Sequence, residues 1–181
     1  MKQQGGDGGK ESLKDKMNII LKWAVIGNLV HLLVAGLNTL INKESTGLML
    51  LMTVLTLLVW TFIGFKLGGE VVKGKETDFL LFGFLCILPM LLFNLSAQVL
   101  QGTVEGLTTI QNYNLFYFLG APVLFWNNPF YSIMNLFPES NIYIQMNINL
   151  MLVVLFSFLG AYIGKGFRIQ QLRKSKKKQL N

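Results

Sequence analysis

The chain has 181 residues, of which 52% are hydrophobic and 14% charged, with a formal net charge of +7. A soluble domain carries about 25% charged residues, so this composition excludes an ordinary water-soluble globule. It also argues against nucleic-acid binding, because the 16 basic residues do not cover a face but gather at the two ends and in one short loop, the pattern that sets orientation in a membrane.

Residues 1–17 mix Gly, Gln, Lys and Asp with almost nothing apolar, a composition expected to be a disordered cytoplasmic tail. The first apolar stretch follows at about residues 18–41. A helix rises about 1.5 Å per residue and a bilayer core is about 30 Å thick, so about 20 apolar residues make a crossing. The stretch exceeds the length of a signal-peptide core and no Ala-x-Ala site follows it, so it is expected to be retained. Lys22 near its start can reach the headgroups. On this helix Asn28, His31, Ala35, Asn38 and Asn42 fall within an arc of about 80°, given about 100° per residue.

The second span is expected at about residues 47–67. It ends in Gly64-Phe65-Lys66-Leu67-Gly68, a Gly-x-x-x-Gly spacing that puts both glycines on one face and lets another backbone approach. A short basic loop with Lys73 and Lys75 leads to the third span, at about residues 79–100. It contains Cys86, the one cysteine of the chain, and Pro89, which frees a carbonyl and kinks the helix. Toward its far end Asn94, Gln98, Gln101 and Glu105 form a second polar stripe, within an arc of about 60°.

Residues 101–147 contain no Lys or Arg. Within them an apolar run, residues 115–126, is too short to cross and is followed by Asn127, Asn128, Pro129 and Asn135. It is expected to be a re-entrant or interfacial segment entering from outside, with Tyr and Trp at headgroup depth. A six-span arrangement, splitting residues 115–143 into two short crossings, also keeps both ends on one side. The last span, about residues 148–167, carries a second Gly-x-x-x-Gly, Gly160 and Gly164, and runs into a basic tail at residues 168–181. The repeated motif hints that spans one and two correspond to spans three and four.

The expectation is therefore an all-α polytopic bundle of four transmembrane helices in the plasma membrane, residues 18–167, with both termini cytoplasmic. Under that topology every basic residue except Lys43 lies inside. Two polar stripes left in lipid would be costly, so they are expected to face each other. They would form an outward-facing polar cleft, with His31 and Asn94 at its deep end and Asn42 and Glu105 at its mouth. Gly64, Gly68, Gly160 and Gly164 are expected to pack helices.

No catalytic constellation is readable. A single His and a single Cys cannot form an ordinary zinc site, and there is no His-Glu-x-x-His, Walker or dinucleotide motif. Ser96 and Ser157 lack the Gly-x-Ser-x-Gly context of a nucleophile. The chain is expected to be non-enzymatic, without cofactor or metal. Its expected partners are membrane lipids, with anionic headgroups at the basic tail, and a membrane protein or further copies of itself. The expected role is an accessory or assembly subunit of a larger membrane complex; the alternatives are a small transporter or solute-binding component and an envelope sensor.

Overall fold

The computed structural model describes residues 13–41, 45–104, 121–136 and 142–180. Among them the fold is all helical. Helices α1 (Leu13–Thr39), α2 (Thr46–Glu70), α3 (Glu76–Val104) and α6 (Ile142–Leu180) are the long ones. All four are long and apolar enough to cross a membrane. Between α3 and α6 lie α4 (residues 121–127), a 3₁₀ turn (Asn128–Phe130) and α5 (Tyr131–Met134).

The boundaries differ from the hydropathy reading. Helix α1 starts at Leu13, so it takes in Lys14 and Lys16. Helix α6 begins at Ile142 and carries on through the basic tail. At about 1.5 Å per residue its 39 residues extend about 58 Å. Helix formation needs only a sequence free of breakers, whereas hydropathy marks only the stretch that prefers lipid. Neither the first turn of α1 nor residues 168–180 contain Gly or Pro.

Polar contacts fix which ends lie together. Lys16 pairs with Asp78 at 2.9 Å and Lys22 with Glu70 at 3.5 Å. Lys165 donates to the Gly74 carbonyl. The starts of α1 and α3, the end of α2 and the later part of α6 thus share one end, the basic end. Asp78 also accepts from the Lys75 backbone N–H, which caps the first turn of α3. Helices α1 and α3 therefore run one way and α2 and α6 the other, with neighbours in the cyclic order α1, α2, α6, α3.

Helices α2 and α6 pack most closely, through all four Gly-x-x-x-Gly glycines. A Cβ at Gly64 would overlap the Ser157 carbonyl, and one at Gly68 the Ala161 carbonyl. Reciprocally, a Cβ at Gly160 would overlap the Thr61 carbonyl, and one at Gly164 that of Phe65. Numbers rise together on both helices, so the pair is parallel and in register. Each motif supplies the groove that the other fills. Glycine does the same for the flanking helices: the Trp60 ring lies over Gly27 of α1, and Val154 and Ser157 lie over Gly83 of α3.

The interior includes Trp60, Phe79, Phe82, Ile87, Trp126 and Phe130, all fully buried or within 1% of it. The outer faces are leucine-rich, with Leu29, Leu33, Leu58, Leu92 and Leu155 among the exposed side chains. An apolar exterior of this kind is suited to acyl chains rather than water.

Candidate functional site

The glycine contact closes the bundle at the basic end. Toward the other end the space between the helices is occupied by residues 121–136. Three features of the sequence build this insert. Pro122 sits in the first turn of α4, where a missing N–H costs nothing. Pro129 lacks the N–H that would continue the α-helix, and the chain tightens there into a 3₁₀ turn. The apolar Val123, Trp126 and Phe130 point inward and are 0–1% exposed.

His31 sits where α1, α2 and the insert meet. Its Nε2 lies 2.7 Å from the Trp126 carbonyl, and its Nδ1 lies 3.1 Å from Trp60 Nε1. An indole nitrogen can only donate, so Nδ1 accepts and the ring proton is on Nε2, donated to Trp126. Both ring nitrogens are thereby used and the imidazole is neutral. A second proton on Nδ1 would break the Trp60 bond. The ring is also packed against Trp126, Phe130 and Trp60, with centroids 4.1, 5.8 and 5.7 Å away.

The other polar groups on α1 face the same segment. Asn28 donates to the Cys86 carbonyl at 2.9 Å and accepts from Trp126 Nε1 at 3.4 Å. The Cys86 carbonyl lies next to that of Leu85, the one that Pro89 leaves without its helix N–H. Asn38 donates to the Asn128 carbonyl at 2.8 Å. From α2, Thr53 donates to the Pro129 carbonyl at 2.7 Å, and its oxygen lies 2.6 Å from the Ser132 hydroxyl. From α6, Asn149 donates to Asn127 at 3.0 Å.

Of the four polar residues on each expected stripe, the structure describes the side chains of Asn28, His31 and Asn38 on α1 and of Asn94 and Gln98 on α3. His31 and Asn38 bond to the Trp126 and Asn128 carbonyls of the insert, exposed where the helix changes pitch around Pro129, whereas Asn28 donates to the Cys86 carbonyl of α3. Asn94 instead donates to Asn147 on α6 at 2.8 Å. Gln98 is exposed, because the buried face of α3 passes through Asn94 and Ala97 and leaves residue 98 at its edge. The Gln101 side chain, Asn42 and Glu105 lie outside the described residues. Beside Asn94 is a recess of about 20 Å³ lined by Ala97, Val123, Leu124, Tyr143 and Met146, room for about one water. The buried Oδ1 atoms of Asn38, Asn94 and Asn149 have no protein partner among the described residues.

Sequence reasoning missed Thr53, Trp60, Asn147 and Asn149. A signal existed for the first two. Met49, Thr53, Thr56, Trp60, Ile63 and Leu67 recur at helical spacing and form the buried face of α2. The Asn127-Asn128-Pro129 run marked the insert but not its depth.

Comparison of the chain with known protein families, with characterised proteins and with solved structures finds no match. Four apolar helices around an inserted segment define it as a membrane helix bundle, and the functional reading rests on the site itself.

Proposed function

We propose that this chain is a non-enzymatic, multi-pass protein of the cell membrane that serves as an accessory or assembly subunit of a larger membrane complex. Both ends and the α2–α3 loop are cytoplasmic in this reading, on the strength of the basic residues gathered there. The insert then enters from the opposite side.

One observation carries the choice of role. The polar side chains of α1, which in a solute site would line an open cleft, are taken up by the insert and by α3: His31 and Asn38 bond to the insert backbone, and Asn28 bonds to the Cys86 carbonyl of α3 and the Trp126 indole. Trp126 and Phe130 fill the space between them. The polar groups hold a shape, and a protein whose design is a fixed shape acts by presenting surfaces. Purification of the tagged native protein in mild detergent tests this. A stoichiometric membrane-protein partner is the expected result, and a pure homo-oligomer without one overturns it.

A second reading, a small transporter or solute-binding component, is favoured by the three unpartnered amide oxygens of Asn38, Asn94 and Asn149. Amide oxygens are ligands for hard cations and acceptors for solute hydroxyls. Solute-dependent thermal stabilisation of the purified homo-oligomer is the result that would select it.

A further inference from the structure

At the basic end, helix α2 stops at Glu70 while α6 carries on to Leu180. Where α2 ends, α6 loses its packing partner and a groove opens between them. The groove has a volume of about 700 Å³. Gly69 and Gly164 form its floor, Phe65, Phe167 and Leu172 supply apolar wall, and Lys66 and Arg168 bring positive charge. The Phe65 and Phe167 rings lie together, 5.9 Å between centroids. The Lys66 ammonium rests over the Phe62 ring at 5.2 Å, and Arg168 donates to the neutral Gln171. Glu70 is the acid on the groove, and Lys22 pairs with it.

We propose that this groove binds the headgroup of one anionic glycerophospholipid, with the phosphodiester on Lys66 and Arg168 and the glycerol end of an acyl chain along Phe65, Phe167 and Leu172. Charge, depth and the chemistry of the walls select that occupant. Lys22, Lys66 and Arg168 against Glu70 leave a local charge of +2 (3 − 1), which calls for an anion. Lys66 lies one turn before the end of α2, and Arg168 lines the same groove from α6 where its apolar stretch gives way to basic residues, which is headgroup depth. The walls are apolar and continuous with the exposed leucine-rich exterior, so a soluble anion would leave them unused. This site is separate from diffuse attraction of the tail, Arg173 to Lys178, which projects beyond the groove.

Protein purified in mild detergent is titrated with dioleoyl-phosphatidylglycerol, dioleoyl-phosphatidylcholine or glycerol phosphate. Retained lipid is counted by native mass spectrometry and the thermal midpoint is followed. The expected result is one tightly retained phosphatidylglycerol and a midpoint rise with that lipid alone. Lys66→Gln with Arg168→Gln should weaken retention about thirtyfold, from about 1 kcal/mol per cation at a membrane surface. Substituting Lys174, Lys176, Lys177 and Lys178 by Gln should leave it nearly unchanged.

Gly69→Leu provides an independent arm. A Cβ at Gly69 meets nothing within 4 Å, so the fold accepts the side chain while the groove is filled, and retention should fall. Equal retention of phosphatidylcholine overturns the proposal. So does an equal midpoint rise with glycerol phosphate. Loss of retention in the tail variant but not in the groove variants also overturns it.

Discussion

Adjacent glycines at the end of α2 allow a sharp test of the helix contact: Gly68→Ala against Gly69→Ala. The two changes add the same methyl group to the same helix one residue apart. Each gains helix propensity, up to about 1 kcal/mol, so the difference between them isolates the contact. At Gly69 the new Cβ stands in open space. At Gly68 it overlaps the Ala161 carbonyl oxygen and would lie 2.7 Å from the carbonyl carbon and 2.9 Å from Cα. Ordinary contact begins at 3.4 Å, so the carbonyl carbon alone must withdraw by 0.7 Å (3.4 − 2.7). These atoms are backbone and cannot rotate away, so the helices must part. Parting also loosens the approaches at Gly64, Gly160 and Gly164. Close Cα–H to carbonyl contacts contribute about 0.5–1 kcal/mol each, so four glycines have about 2–4 kcal/mol at stake. Gly68→Ala should cost about 2–3 kcal/mol, the range of overpacked cores, while Gly69→Ala should be neutral or mildly stabilising. For a chain of this size that is a fall of roughly 4–12 °C in thermal midpoint. Circular dichroism melts of both variants in the same detergent measure it. Equal midpoints would refute the claim that glycine sets the α2–α6 distance.

Three further outcomes follow from the same geometry. His31→Ala leaves the Trp60 indole N–H and the Trp126 carbonyl buried and unpaired, at about 1–3 kcal/mol each. Its midpoint should drop more than that of His31→Gln, which keeps a donor and an acceptor, and its tryptophan emission should shift red as water enters. Thr53→Val removes the bonds to Pro129 and Ser132 at constant volume, and it should cost about 1–2 kcal/mol and speed proteolysis between α3 and α6. In a Cys86→Ala background, a cysteine at Leu136 should react with an impermeant maleimide in intact cells, and one at Ser175 only after the cells are opened; the reverse pattern would overturn the orientation.

The helix count and the insert were legible because both follow from composition along the chain. A run of about 20 apolar residues has few alternatives to a crossing helix, and an apolar run interrupted by Asn-Asn-Pro cannot make one. The glycine faces were legible by spacing, but their pairing with each other was not. That pairing depends on two motifs sitting at the same depth of parallel helices, which only the assembled topology determines. The partners of the polar side chains on α1 were not legible, for a different reason. Asn28, His31 and Asn38 do share a face, as about 100° per residue requires. Their partners, however, are the backbone carbonyls of Cys86, Trp126 and Asn128 and the indoles of Trp60 and Trp126. A carbonyl carries no residue identity, so no pattern of side chains points to it. Matching stripe to stripe therefore chose Asn94 and Gln98, where the fold uses a helix terminus inserted from the far end.

The strength of that insertion bears on the choice between a fixed subunit and a transporter. Among the described residues, six of the hydrogen bonds that tie residues 121–136 to the long helices are those of His31 and Asn28 to Trp126, Asn38 to Asn128, Thr53 to Pro129 and Ser132, and Asn149 to Asn127. At about 0.6 kcal/mol for an average bond of this kind inside a membrane, they contribute about 4 kcal/mol together. That alone would leave the segment withdrawn in about one molecule in several hundred, at about 1.4 kcal/mol per factor of ten. Burial of Trp126 and Phe130 lowers the fraction further, because packing against the interior is lost on withdrawal. A solute using the space between α1 and the insert must supply this free energy from its own contacts before it gains any affinity. The three unpartnered amide oxygens offer little to repay it, since each is already enclosed with the insert in place. A partner that binds the exterior of the bundle faces no such cost. This difference of several kcal/mol favours a chain that works with its interior closed.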